Sequence, residues 1–97
     1  MGESHEIRLK RLRLRSMRRG IREMDLILGG FAARELAGMS AAELDAWERL
    51  LEEADQDLLA WLTGLAPPPQ AHRPLLERIG AQLAAGLAPE RAAFGGL

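Results

Sequence analysis

Residues 40–51 read SAAELDAWERLL and contain the clearest helix signal in this chain. Ser40 followed three residues later by Glu43 forms a capping box, in which each side chain accepts a hydrogen bond from the other residue's backbone amide. Apolar residues then recur every three or four positions, which places them on one face of a helix. The pattern predicts a helix over residues 41–54, whose buried face consists of Leu44, Trp47, Leu50, Leu51 and Ala54.

Two further helices are predicted downstream. Apolar residues at helical spacing indicate a short helix over residues 56–64, and Asp55 or Asp57 could cap its start. The three prolines at residues 67–69 cannot lie inside a helix and predict a stiff connector. The last apolar stripe predicts a helix over residues 73–86.

The N-terminal part of the chain predicts two more helices. An apolar stripe indicates a helix over residues 21–37, in which Gly29-Gly30 would allow a neighbouring helix to pack closely. The first segment is ambiguous, because RLRLR at residues 11–15 alternates with the period of a strand. No other segment offers a strand to pair with it, so a helix over residues 6–18 is the better interpretation.

These elements predict a single all-α domain over residues 1–97, built as a small bundle of about five short helices. The residues that favour helix support this class, since Leu and Ala are abundant and β-branched residues are few. Trp47 and Trp61 lie on apolar stripes and are predicted core residues. A flexible tail is expected over residues 88–97.

The composition excludes several kinds of site. The chain has no cysteine, which excludes disulfides and thiolate metal sites. His5 and His72 are isolated from each other and from other metal donors, so no metal site is expected. No segment resembles a nucleophile elbow, a phosphate-binding loop or a dinucleotide fingerprint. The acidic residues at 52–57 are better explained as a solvated helix end than as paired acid and base groups.

Charge is unevenly distributed along the chain, although the formal net charge is −1. Most arginines lie in the N-terminal quarter and most acidic residues lie downstream, which predicts a polarised surface with a basic end. The arginine-rich start has the composition of a transit peptide, but Glu3 and Glu6 interrupt it. No apolar run approaches the ~20 residues that cross a bilayer. We therefore expect a cytoplasmic protein.

The segment MRRGIREMD at residues 17–25 places a glycine between arginines, with Glu23 three residues beyond Gly20. If Gly20 caps the second helix, the Glu23 carboxylate can reach back to the Gly20 amide near the positive end of the helix dipole. That structural role does not explain the surrounding charges. Guanidinium groups over a bare glycine backbone would also suit a docking surface, because a partner can approach the main chain there.

Two blocks of the sequence resemble a known family. RRGIREMDLILGGFA at residues 18–32 and LLEEADQDLLAWL at residues 50–62 are similar to the succinate dehydrogenase flavinylation factors, also called succinate dehydrogenase assembly factor 2. The resemblance covers roughly residues 8–69. It departs from the family pattern at Leu14 and Trp47, where an aromatic residue and a phenylalanine are more usual, and at Gln56 in place of a frequent proline.

The resemblance implies a five-helix bundle that acts as an assembly factor without catalytic activity. Such factors bind the flavoprotein subunit of succinate dehydrogenase, and in some cases of fumarate reductase, and promote covalent attachment of FAD to it. FAD is then attached to the partner and not held stably by the factor, which we expect to be a monomer when free. Carried onto this chain, the partner-binding residues would be Arg19, Gly20 and Glu23 at the centre, Arg22 and Asp25 beside them, and Arg8, Arg11 and Arg15 as a basic flank.

Two other functions fit the arginine run less well. Nucleic-acid binding would use the arginines for phosphate contacts, but the total charge is near zero and the basic segment has no aromatic residue for stacking on bases. Membrane association would need an amphipathic first helix, whose apolar residues are instead split between two faces. Neither a nucleic-acid partner nor a membrane partner is therefore predicted.

Overall fold

The computed structural model describes residues 2–86, which form five α-helices and two short 3-10 helices. The α-helices are α1 (His5–Met17), α2 (Arg22–Glu35), α3 (Ala41–Leu51), α4 (Asp55–Leu62) and α5 (Arg73–Ala84), and the 3-10 helices span Leu36–Gly38 and Gln70–His72. Residues 2–86 contain no strand, so the predicted all-α class with about five helices is confirmed. The predicted tail at residues 88–97 lies outside the described residues.

The ambiguous first segment is helical. Leu12, the first leucine of the alternating run, is fully buried, whereas Leu14, the second, remains about half exposed. Ser4 caps α1, because its hydroxyl oxygen accepts a hydrogen bond from the Ile7 amide at 3.1 Å. The alternation therefore reflects arginines on the outer faces of a helix that buries only one narrow stripe.

The capping box at the start of α3 is formed as predicted. The Ser40 hydroxyl accepts from the Glu43 amide at 3.1 Å, and the Glu43 carboxylate accepts from the Ser40 amide at 2.8 Å. The helix ends at Leu51, three residues before the predicted end, because the amides of Glu52 and Glu53 bond to carbonyls only three residues back. The chain turns there, and its carbonyl groups become available to another segment.

The start of α4 differs from the prediction. Ala54 occupies the cap position and no side chain caps it, since the Asp55 carboxylate binds residues elsewhere in the fold. The helix runs over residues 55–62 instead of 56–64 and is closed by Gly64, whose φ of 81° is a left-handed conformation that favours glycine. Prolines at 67–69 connect it to α5, as expected from the sequence.

The core is centred on Trp47, which is fully buried as predicted. Its ring stacks on Phe31 with 5.0 Å between centroids, and its indole N–H donates to the Ser16 hydroxyl at 3.0 Å. Ser16 in turn donates to the Leu12 carbonyl at 2.7 Å, so this fully buried polar pair is satisfied. Trp61 is only partly buried and lies against His72.

Helices α1 and α2 pack closely together, and both glycines of the Gly29-Gly30 pair are buried in α2. That the pair allows a close helix approach stays a prediction. Among the helices of residues 2–86, none has the length and apolar character needed to cross a membrane.

Candidate functional site

The chain bends between α1 and α2, and one carboxylate from α4 holds this bend. Asp55 Oδ2 accepts hydrogen bonds from the backbone amides of Gly20 at 2.5 Å and Ile21 at 3.1 Å. Asp55 Oδ1 accepts from Arg19 Nε at 2.6 Å. A single side chain at the start of α4 therefore contacts three consecutive residues of the bend.

The Arg19 guanidinium points inward and binds the turn between α3 and α4. Besides its bond to Asp55, it donates to the Leu51 carbonyl at 2.7 Å and to the Glu53 carbonyl at 2.6 Å. These two carbonyls are available to Arg19 because α3 ends at Leu51, so they are not used by helical hydrogen bonds. The Arg19 side chain is only 10% exposed, so its guanidinium is not available on the surface to contact a partner.

The predicted cap at Gly20 is not formed. Ile21 is the cap residue of α2, and Glu23 occupies the second helical position without bonding to the Gly20 amide. The Gly20 amide already donates to Asp55, so it is not available to the Glu23 carboxylate. Asp25 instead accepts a hydrogen bond from the Arg19 amide, and its carboxylate thereby holds the other side of the bend.

The charge state of Asp55 follows from its surroundings. Burial raises the pKa of the carboxyl group, but the hydrogen bonds from Arg19 and from the Gly20 amide outweigh burial and hold the pKa below its ordinary value. Asp55 is therefore ionised at neutral pH, and as a carboxylate it can accept from one guanidinium and two backbone amides.

The predicted basic flank on α1 faces an acidic stripe on α3. Glu48 lies at the centre of this cluster, with oxygens 3.1 Å from Arg8, 2.6 Å from Arg11 and 3.8 Å from Arg15. Further acidic partners complete the cluster: Asp45 at 2.6 Å from Arg8, Glu3 at 2.6 Å from Arg11 and Glu52 at 3.5 Å from Arg15. The prediction of a separate basic end is corrected, because folding brings the two charged segments together.

We predict that Glu48→Gln lowers the free energy of unfolding by about 0.5–1 kcal/mol at pH 7, the range for a partly exposed ion-pair network. The hydrogen bond from Arg11 lowers the pKa of Glu48, and although burial raises it, the bond from Arg8 adds to the lowering. A carboxylate with a depressed folded pKa contributes stability above its unfolded pKa and loses it as the pH falls through the folded value. The difference between wild type and variant should therefore shrink below about pH 4.

Urea denaturation at pH 7 and at pH 3 measures this difference. Glu52→Gln is the matched control, because Glu52 is 70% exposed and makes one contact of 3.5 Å. A Glu48→Gln effect of equal size at both pH values would contradict the ion-pair explanation.

Three charged side chains around the bend are exposed and unpaired. Within residues 2–86, none of Arg18, Arg22 and Glu23 forms a side-chain hydrogen bond or an ion pair. Gly20 is also exposed between them. We call these four residues, Arg18, Gly20, Arg22 and Glu23, the bend surface.

A shallow groove adjoins the bend surface along α1. Its volume is about 540 Å³, and its lining consists of Arg11, Leu14, Arg15, Arg18 and Arg19. Leu14 is 48% exposed in this groove. The groove therefore offers an apolar contact next to unpaired positive charge.

The structure thus divides the predicted site residues into three groups. Gly20, Arg22 and Glu23 lie on the surface, whereas Arg19 and Asp25 bind the bend from within. Arg8, Arg11 and Arg15 lie apart from the bend centre and are paired with acidic side chains.

Sequence reasoning missed two residues. Asp55 was considered only as a helix cap, although it lies in the second of the two resembling blocks. His72 was considered an isolated loop residue, yet it is buried, and its ring nitrogen lies 2.7 Å from a Glu53 oxygen. No local pattern could reveal either contact, since both partners are distant in sequence.

Comparison with known proteins agrees with the resemblance. A family described as flavinator of succinate dehydrogenase matches residues 10–83. The chain is similar to proteins named succinate dehydrogenase assembly factor 2, mitochondrial: it is 47% identical to that of Debaryomyces hansenii over 64% of this chain and 44% of the relative. It is 42% identical to that of Mycosarcoma maydis over 69% and 28%, and 36% identical to that of Yarrowia lipolytica over 80% and 57%.

These relatives bear on two further points. The chain spans about half or less of the length of most of the curated relatives it matches. The expectation of a cytoplasmic protein is contradicted, because the relatives are named as mitochondrial proteins. The interruption of the arginine run by Glu3 and Glu6 was therefore not a sound argument about location. Because the family match covers well over half of the chain, this chain belongs to the family of flavinators of succinate dehydrogenase.

Proposed function

We propose that this chain binds the flavoprotein subunit of succinate dehydrogenase through the bend surface and promotes covalent attachment of FAD to that subunit. Family membership supports succinate dehydrogenase as the complex that this chain helps to assemble, and the relatives are named as assembly factors of succinate dehydrogenase. The single observation that supports the docking site is the exposed Gly20 between unpaired Arg18 and Arg22.

The bend surface has the chemistry that a docking site needs. Within residues 2–86 the guanidinium groups of Arg18 and Arg22 have no hydrogen-bond partner, so each can bind a partner carboxylate with two parallel bonds. Gly20 carries no side chain, and a partner can therefore approach its backbone closely. Exposed Leu14 in the adjoining groove adds an apolar contact. We infer that the docking segment of the partner is acidic and carries an apolar side chain.

The mechanism that we propose is a shift of populations without catalysis by this chain. The bend surface binds one conformation of the flavoprotein more tightly than others and holds it while the flavin bond forms in the partner. A differential affinity of ~2–3 kcal/mol changes the ratio of conformations by about 30-fold or more. In this proposal FAD stays with the partner, and the chain acts as a monomer. Action on fumarate reductase stays a prediction.

Nucleic-acid binding receives less support from the geometry. Phosphate contacts would need a continuous stripe of free cations. Arg8, Arg11 and Arg15 are engaged with acidic side chains, and binding of phosphates would have to displace them.

We predict that Arg18→Glu combined with Arg22→Glu lowers the yield of covalent flavin about tenfold or more at limiting factor concentration. Reversal of two unpaired charges turns attraction to an acidic segment into repulsion, and like-charge contacts at an interface cost several kcal/mol. Covalent flavin on the partner is measured by in-gel fluorescence of the denatured protein, in cells that lack their own factor.

Lys10→Glu is the control for a charge reversal outside the bend surface, because Lys10 is exposed on α1 and lies roughly 12 Å along the helix from Arg18. The control should retain wild-type flavinylation. A folded double variant that also retains wild-type flavinylation would rule out the bend surface as the docking site.

A further inference from the structure

We propose that Asp55 is a positioning residue that fixes the Gly20 bend in the conformation that docks. This inference rests on the proposed function, because it concerns the shape of the same bend surface. Asp55 lies on the inner side of the bend, whereas Arg18, Arg22 and Glu23 lie on the outer side. It would therefore act on the partner only through the bend.

The residue that Asp55 holds is intrinsically flexible. Glycine has more backbone conformations available than any other residue, so an exposed glycine between two helices would sample several orientations. Asp55 accepts from the amides of Gly20 and Ile21 with one oxygen and from Arg19 with the other. These three bonds restrict the backbone on both sides of the glycine.

The Asp55 carboxylate also lies close to the position that a side chain at residue 20 would occupy. Its φ is not in the left-handed region, so the backbone conformation alone does not require glycine. A Cβ atom at residue 20 would lie 3.2 Å from Asp55 Oδ2, closer than ordinary van der Waals contact. The close approach of the Asp55 carboxylate therefore favours a glycine here, because a Cβ atom would push the carboxylate away from the bend by a few tenths of an ångström.

Asp55 is itself held in place by Arg19. Its partner Arg19 is itself tied to the carbonyls of Leu51 and Glu53, so the carboxylate and the guanidinium hold each other in place. The bend is thereby fixed to the turn between α3 and α4. The two sequence blocks that resemble the family meet in this one contact.

The consequence for binding follows from population arithmetic. When only a fraction of molecules has the competent shape, the apparent dissociation constant rises by the inverse of that fraction. If loss of the carboxylate leaves the bend competent about a tenth of the time, binding weakens about tenfold. Global unfolding is not needed for this effect.

The experiment uses the full chain and the purified flavoprotein subunit of succinate dehydrogenase without covalent flavin. We expect Asp55→Asn to raise the dissociation constant about tenfold and to speed hydrogen exchange at the Gly20 and Ile21 amides, measured by NMR at a temperature where the variant is folded. Asp57→Asn is the matched control, because Asp57 is an exposed carboxylate in the same helical turn. Ile79→Val controls for stability, since Ile79 is buried in the core.

A double-mutant cycle adds a readout that a purely structural role would not move. We expect Arg19→Ala and Asp55→Asn to be non-additive, because both break the same ion pair and the Arg19 side chain is too buried to contact a partner, so the double variant should bind about as weakly as the weaker-binding single variant. Fully additive effects on the dissociation constant would overturn the proposal. Unchanged exchange at both amides in Asp55→Asn, or binding by Asp55→Asn equal to that of Ile79→Val, would overturn it as well.

The failure of this proposal can be distinguished from failure of the proposed function. If the wild-type chain does not bind the flavoprotein at all, the proposed function is wrong, and with it the link from Asp55 to docking. If the wild type binds and Asp55→Asn binds equally well, only the positioning role is wrong.

Discussion

Replacement of Trp47 by alanine is expected to lower the free energy of unfolding by about 3–5 kcal/mol, the range for truncation of a large buried aromatic side chain. The indole is fully buried, stacks on Phe31 and donates a hydrogen bond to Ser16. A domain of this size has a total stability of roughly 5–10 kcal/mol, so the variant should be close to unfolding at 37 °C. Thermal and urea denaturation followed by circular dichroism measure the change.

Trp47→Phe is the matched variant, because it keeps an aromatic ring against Phe31 and removes the indole N–H. Ser16 retains its bond to the Leu12 carbonyl, so only one hydrogen bond is lost, at a cost of about 1–2 kcal/mol together with the reduced volume. If Trp47→Ala and Trp47→Phe destabilised the protein equally, the hydrogen bond to Ser16 would matter more than packing, and the expectation would be wrong.

The sequence predicts the helices of this fold well because their signals are local. The capping box at Ser40 and the apolar spacing that follows it depend only on residues within a few positions. The helix ends are less well predicted. At the early end of α3 the Leu51 carbonyl accepts from Arg19, about thirty residues earlier in the chain, and no local signal predicts that contact.

The charged bend around Gly20 could be singled out from the sequence, but the contacts that its residues make within the fold could not. The segment around Gly20 is exposed, as a docking site requires, yet Arg19 and Asp25 bind the bend itself. A pattern of charges along the chain does not reveal which of them will meet an opposite charge after folding. The arginines of α1 illustrate the same limit, because the acidic stripe that pairs with them lies on α3.

The inward direction of Arg19 changes how a substitution there should be interpreted. An arginine at the centre of a docking motif invites the conclusion that its loss removes a contact with the partner. In this structure its loss would first release the bend from the turn between α3 and α4. Binding measurements on Arg19 variants therefore need a stability measurement beside them.

Replacement of Arg19 by alanine is expected to lower the free energy of unfolding by about 2–4 kcal/mol, somewhat below the range for breaking a fully buried ion pair. The reduction from that range reflects the remaining exposure of 10% for Arg19 and 12% for Asp55. The variant leaves Asp55 charged without its guanidinium, and the carbonyls of Leu51 and Glu53 lose their donors. Urea denaturation at pH 7 measures the loss.

The pH dependence identifies Asp55 as the source of this loss. Although burial raises its pKa, hydrogen bonds from Arg19 and the Gly20 amide depress it, so the contribution of the pair is present above the unfolded pKa of an aspartate and is lost as the pH falls through the folded value. The difference in the free energy of unfolding between wild type and Arg19→Ala should therefore narrow below about pH 4.

Arg18→Ala is the matched control. The Arg18 side chain is exposed and, within residues 2–86, unpaired, so this variant should change the free energy of unfolding by no more than about 0.5 kcal/mol at every pH. Equal decreases in the free energy of unfolding for Arg19→Ala and Arg18→Ala would show that Arg19 does not hold the bend. An arginine whose only role is to contact another protein should stabilise the free chain no more than exposed Arg18 does.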